Sequence, residues 1–297
     1  MLDNLNDEVH DVSQAVDSLW NWLSAHTKGE YVNRNKAQDE IVTKAENSAF
    51  EMEAWVFNTV SSCQLCASDM YKDYLNDAIK WVKGQADSLM HKADRKGRLP
   101  SIREYINYIS EKSIGDLWID IDLCFLESKL EDFKEDQLSA IKLLKTGYSI
   151  VFKSSLVYDD VQDIYEDLST NSVNSAVILA LEEGVISERD LKEKSPDEII
   201  KRMKEEGILM KTIRLADMVF LKGIEIINSI GSRLDEIIDK KGLIQGFRFL
   251  RLFNLRKLLV RKKNYETIKL FFSSLEDFER MKMDIPNDIM ALQRYLA

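Results

Sequence analysis

The chain has 297 residues, with 41 Lys and Arg against 51 Asp and Glu, a net charge of −10 and a pI near 5.0. That balance excludes a general nucleic-acid binder, which presents a basic surface. Three prolines and eleven glycines are few for this length. With apolar residues recurring at three and four, they predict an all-α fold, expected as a single domain over residues 1–297.

Residues 3–25 read as an amphipathic helix, with Leu5, Val9, Val12, Val16, Leu19, Trp20 and Leu23 at helical spacing. Its start, Asp3-Asn4-Leu5-Asn6-Asp7-Glu8, is acidic and lacks a signal-peptide core. After a polar loop at 28–36, helices are predicted over 37–66 and 68–93. Cys63 and Cys66 share a face of the first of these. Without a second Cys-x-x-Cys or a histidine pair they read as small core fillers, and three cysteines make no disulfide framework. The segment His91 to Pro100 places cations, then Gly97, then proline, which is a helix end.

Ser101 is the predicted N-cap of a helix over 101–113, with Glu104 as its capping-box partner. Ser113-Ile114-Gly115-Asp116 breaks that helix, because glycine weakens helix interiors. A long helix is predicted over 137–168, closed by Ser169-Thr170-Asn171-Ser172, and a short apolar helix over 173–183. Ser195-Pro196-Asp197-Glu198 is a further helix start, with Gly207 ending the helix over 197–206. Residues 246–263 set Arg248, Arg251, Arg256, Lys257, Arg261, Lys262 and Lys263 among leucines and phenylalanines. Such a helix lies on a membrane, meets an acidic partner or balances the acidic remainder. No apolar run approaches the roughly 20 residues of a spanning helix. A cytoplasmic protein without a transmembrane segment is expected.

Chemistry gathers at Asp159, Asp160, Asp163 and Asp167. Asp159, Asp163 and Asp167 are four apart and stack on one face of a helix. Such like-charged neighbours repel by roughly 0.2–0.5 kcal/mol per pair. A helix keeps the column in open water or around a cation, and Mg²⁺ takes one or two carboxylates with water and substrate phosphates.

Asp159-Asp160-x-x-Asp163-x-x-x-Asp167, followed by Asn174 and an apolar helix ending at Gly184, resembles the metal motif of class I terpene synthases of the microbial type. Pro100-Ser101-x-x-Glu104-Tyr105 and the break at Gly115 resemble that family's upstream block. The resemblance implies antiparallel helices around a central cavity, the isoprenoid synthase fold. It implies Mg²⁺, or Mn²⁺ in its place, held by Asp159, Asp163 and Asp167, with Asp160 behind them or as an auxiliary ligand. It also implies a geranyl, farnesyl or geranylgeranyl diphosphate substrate whose carbocation is cyclised or rearranged. No nucleic acid is expected, and a homodimer is compatible with it.

By the same resemblance, Asp3 and Asp7 stand for a shortened first metal motif, although family members carry several helices before it. Gly115 and Trp118 fall at the helix break that steers the carbocation, and Tyr148, with Phe125, lines the cavity. Lys112 stands near the place of a diphosphate-sensing arginine, where Ile109 departs from the pattern. Arg294 and Tyr295 match a late Arg-Tyr pair. Asn228, Ser232 and Glu236 form a rival for the second motif. The alternatives are a prenyl diphosphate synthase, which calls for two aspartate-rich motifs, and a degenerate, non-catalytic all-α interaction protein.

Overall fold

A computed structural model describes residues 12–34, 40–61, 69–93, 99–113, 115–129, 134–262 and 278–296. Among these residues there are helices, turns and loops but no strand, so the chain is all-α. No described helix is long and apolar enough to cross a membrane. The contacts divide the chain into two compact units, residues 1–96 with 116–133, and residues 97–115 with 134–297.

In the first unit, α1 (Val12–Lys28) packs against α2 (Glu40–Ser61) and α3 (Asp69–Ala93). Leu19, Trp22 and Leu23 of α1 meet Phe50, Trp81 and Val82, and Leu117 joins this core. The predicted start of α1, including Asp3 and Asp7, lies outside the described residues, as do Cys63, Cys66 and Gly97. Two polar pairs are sealed into this core. Ser18 donates to Glu46 at 2.6 Å, and the His26 ring stacks on Trp22 while its Nδ1 lies 2.7 Å from Glu53. Burial, with Glu53 nearby, holds the Tyr74 hydroxyl well above its ordinary range.

The second unit begins with α4 (Ile102–Asn107), whose capping box is the predicted one: Ser101 accepts from the Glu104 backbone and Glu104 accepts from that of Ser101. The helix expected to continue to residue 113 tightens instead into a 3₁₀ turn, Ile109–Lys112. After it, Ser113 is extended, and α5 (Gly115–Lys129) starts afresh. A Cβ on Gly115 would fall 2.3 Å from that of Phe152, so close packing requires the glycine.

The helix predicted over 137–168 is two helices, α6 (Glu135–Gln162) and α7 (Ile164–Thr170). Asp163 sits between them at φ −100°, ψ 11°. The bonds from Asp163 N to Asp159 O and from Asp167 N to Asp163 O are present at 2.9 Å, but the Asp160 carbonyl between them accepts from the Asn174 side chain, and the helix kinks there. There follow α8 (Ser175–Glu182), α9 (Glu188–Glu193), α10 (Pro196–Glu205), α11 (Ile208–Ser229), α12 (Lys240–Lys262), α13 (Phe278–Met283) and α14 (Asn287–Met290). The basic helix thus starts six residues before its predicted start at residue 246. Ser195 caps α10 with Pro196 at its first position, and Gly207, at φ +74°, separates α10 from α11.

The core of this unit is the crossing of α6 and α11. A Cβ on Gly223 would meet Gly147 O at 2.7 Å and Val151 N at 2.9 Å. The two backbones therefore touch, and the neighbouring Ile150, Val151, Val219 and Ile227 close over the crossing.

Candidate functional site

The kink at Asp163 decides which aspartates face inward. Asp160 is buried, Asp159 is exposed, and Asp163 and Asp167 are half-buried. α8 begins beside them, capped by the fully buried Asn174, whose side-chain oxygen accepts from Ala176 N at 2.9 Å and Val177 N at 3.2 Å. Its amide nitrogen donates to the Asp160 backbone carbonyl and to Asp167 Oδ2, both at 2.7 Å. Ser175 N donates to Asp160 Oδ2 at 2.8 Å. The end of α6, the first turns of α7 and the start of α8 are thus one hydrogen-bonded knot.

Two neutral hydroxyls close on the same carboxyl. Tyr105 and Ser175 are fully buried, and their hydroxyls face the Asp160 carboxyl. Burial pushes the Asp160 carboxyl up to about 6, opposed by the Lys112 ammonium and the Ser175 bonds. Burial likewise pushes Asp167 up to about 7, with repulsion from Asp160 and Asp163 added and the Asn174 bond and Lys112 opposing. The Tyr105 hydroxyl is held well above its ordinary range by burial and by the field of Asp160, Asp167 and Asp159. Lys112, half-buried in the 3₁₀ turn, is therefore the cation that faces the carboxyls.

Of the residues singled out in the sequence, the structure brings together Lys112, Asp160, Asp163 and Asp167, and Asp159 stands on the outer side of the same turn. Gly115 packs under Phe152, and Tyr148 stacks on Phe152 with ring centroids 4.9 Å apart and meets Phe247 edge-on at 5.1 Å. Trp118 and Phe125 are more than half exposed. Arg294 donates to the hydroxyl of Tyr295 at 2.7 Å, and Arg103 of α4 lies 4.2 Å over the Tyr295 ring, so the pair sits against α4. Asn228 is in the last turn of α11, but the helix stops at Ser229, and Ser232 and Glu236 follow in exposed turns. Gly231, at φ +64°, takes the chain out of the helix, so this rival motif does not share a helical face.

Tyr105 and Asn174 stand within the sequence motifs without a role at the site, and Ser175 carries no signal of its own. The signal for Asn174 was its place as a capping residue before an apolar run. No local pattern marks Tyr105, whose partner is 55 residues away. A second buried polar group was missed altogether. Arg251 Nε and Nη2 donate to Asp217 Oδ1 at 2.9 and 2.7 Å, and Tyr158 OH donates to the same oxygen. Arg214 Nη1 donates to Asp217 Oδ2 at 3.0 Å.

A cavity of about 390 Å³ is lined by Leu99, Ser101, Ile178, Glu182 and Ser187 among others. It opens at the far end of α8 from Asn174, and no aspartate of the cluster lines it. Among the described residues, no three His, Cys, Asp or Glu side chains converge as a ready-made metal cage. Mg²⁺ needs less, since one or two carboxylates suffice where water and phosphate complete the shell. Asp160 and Asp167 fit that smaller requirement: each commits one oxygen to its own chain, and each is raised by burial, a cost that a cation offsets. Comparison with protein-family models, curated proteins and solved structures finds no match.

Proposed function

We propose that the knot of Asp160, Asp167, Asn174 and Lys112 binds a divalent cation and the diphosphate of a prenyl diphosphate, as in a class I terpene synthase of the isoprenoid synthase fold. The observation that carries this reading is the approach of one buried carboxyl, Asp160, and one half-buried carboxyl, Asp167, to a single lysine at a helix kink. Asp160 and Asp167 would hold Mg²⁺, with Asp163 adjacent. An ion held there would supply positive charge against a departing diphosphate. Asn174 orients Asp167 and fixes the kink against α8. The Ser175 amide and Tyr105 hold Asp160 in place and keep water from its inner side. Lys112 supplies the positive charge that a diphosphate oxygen meets. Loss of diphosphate would leave an allylic carbocation, which would then cyclise or rearrange.

The test is incubation of the full chain with geranyl, farnesyl and geranylgeranyl diphosphates plus Mg²⁺, and analysis of both organic and aqueous layers. A hydrocarbon or alcohol lost in Asp160→Asn and Asp167→Asn supports the reading. A longer diphosphate would make the chain a prenyl diphosphate synthase. No metal-dependent product from a folded protein overturns both.

One observation favours a second reading, a non-catalytic helical scaffold. Asp160 and Asp167 each already bond a group that starts or caps α8, so the acids also serve as a hinge pin. In that case Mg²⁺ leaves the protein's stability unchanged.

A further inference from the structure

We propose that the outward face of α12 docks on an anionic lipid surface, an inference independent of the diphosphate reading. Residues 240–262 hold eight Lys and Arg and no Asp or Glu, in a chain of net charge −10. The described part of the helix has two distinct sides. Phe247, Arg251 and Leu255 are buried, and Asn254 donates to Ser155 of α6 at 2.8 Å. Gly242, Gln245, Gly246, Phe249, Phe253 and Arg256 are exposed and follow one another at three and four residues, so they form a single outward stripe.

The internal cations are accounted for separately. Arg251 is taken up by Asp217, the Arg248 guanidinium stacks 4.2 Å over Phe278, and Lys240 donates to the Gly231 carbonyl. Lys241 and Arg256 are exposed, and among the described residues neither pairs with a carboxylate. Phe249 is 70% exposed and Phe253 48%. Two outward phenylalanines one turn apart, with Lys241 at one end of the stripe and the Arg256 guanidinium over the Phe253 ring and bonded to its carbonyl rather than to a carboxylate, match the interfacial zone of a bilayer. There rings enter the acyl boundary and cations meet headgroup phosphates. Gly246, with nothing within 4 Å of where a Cβ would stand, leaves the stripe low just before Phe249, while at Gly242 that space holds the Asp239 carboxylate, which caps the start of the helix. A nucleic acid requires a basic groove that follows its backbone, whereas α12 offers an apolar ridge with charge at its sides.

The experiment is co-flotation of the full chain with vesicles of phosphatidylcholine alone and of equimolar phosphatidylcholine and phosphatidylglycerol. Binding is expected only to the mixed vesicles and weakens as salt is raised. Phe249→Ser with Phe253→Ser lowers binding by about tenfold or more. Lys241→Gln and Arg256→Gln each lower it by roughly fivefold. All four positions are at the surface, and far-ultraviolet circular dichroism verifies that the variants fold. Absence of binding, equal binding to both vesicle types, or binding that survives the double serine variant overturns the proposal. So does tighter binding to a homopolymeric RNA than to the vesicles, which would assign the face to a nucleic acid instead.

Discussion

The side-chain amide of Asn174 lies 2.7 Å from Asp167 Oδ2 and 2.7 Å from the backbone carbonyl of Asp160, while its oxygen caps α8. One residue thereby satisfies the end of one helix, the start of another and a half-buried carboxyl between them. Asn174→Ala removes the cap, worth about 1 kcal/mol. It also leaves the Asp160 carbonyl without its donor inside the core, for a combined loss of about 2–3 kcal/mol. Asn174→Ser keeps a capping oxygen and loses only the donor, so its loss falls in between. Urea unfolding of the three proteins ranks them; equal midpoints for serine and alanine would show that the cap contributes nothing.

The raised carboxyls give a pH dependence with a definite sign. An unfolded aspartate titrates near 3.8, and the folded Asp160 and Asp167 near 6 and 7. Between those values the folded state binds more protons than the unfolded state, so their contribution is fully present below 3.8 and is lost as pH rises through 6 and 7. Asp167→Asn keeps position 167 neutral at every pH and leaves Asp160 to titrate as before. The variant should gain stability relative to wild type as pH rises through this window in metal-free buffer. Urea midpoints on either side of the window check it, and parallel pH curves for the two proteins would remove Asp167 as the source.

Much of this architecture was legible because it is local. Ser101 with Glu104, and Ser195 with Pro196 and Glu198, bond within one turn, so the sequence pattern contains both partners. The kink at Asp163 was not legible. The four-residue aspartate spacing reads as one continuous helix, and what bends it is the bond network to Asn174 and Ser175, 14 and 15 residues from Asp160. Arg251 sits in a run of cations that looks like a solvated face. Only the partners on α6 and α11, 93 and 34 residues away, show it to be buried. The glycines at 147 and 223 carry no local signal either, since their need arises from each other.

Arg251 is held by Asp217 and Tyr158 with both of the latter fully buried. Arg251→Met leaves the Asp217 charge to Arg214 alone and should cost about 3–5 kcal/mol. Tyr158→Phe removes one hydroxyl from the cluster and should cost about 1–2 kcal/mol. Combining Arg251→Met with Asp217→Leu removes both charges, so the double variant should unfold later than the sum of the single losses implies. Additive losses in a thermal or urea series would mean that the pair is not coupled.

The same substitution should have opposite signs at two helical glycines. At Gly223 a new methyl meets Gly147 O at 2.7 Å and Val151 N at 2.9 Å, and backbone atoms in two packed helices do not move aside cheaply. Gly223→Ala forces α6 and α11 apart and should cost about 1–3 kcal/mol. At Gly246, also inside a helix, nothing lies within 4 Å of the added carbon. There alanine only restricts the unfolded chain and favours the helix, so Gly246→Ala should gain roughly 0.5–1 kcal/mol. Paired urea unfolding curves measure both. A stable Gly223→Ala protein would mean that the two helices do not cross in backbone contact, and the core of the second unit would then be packed in some other way.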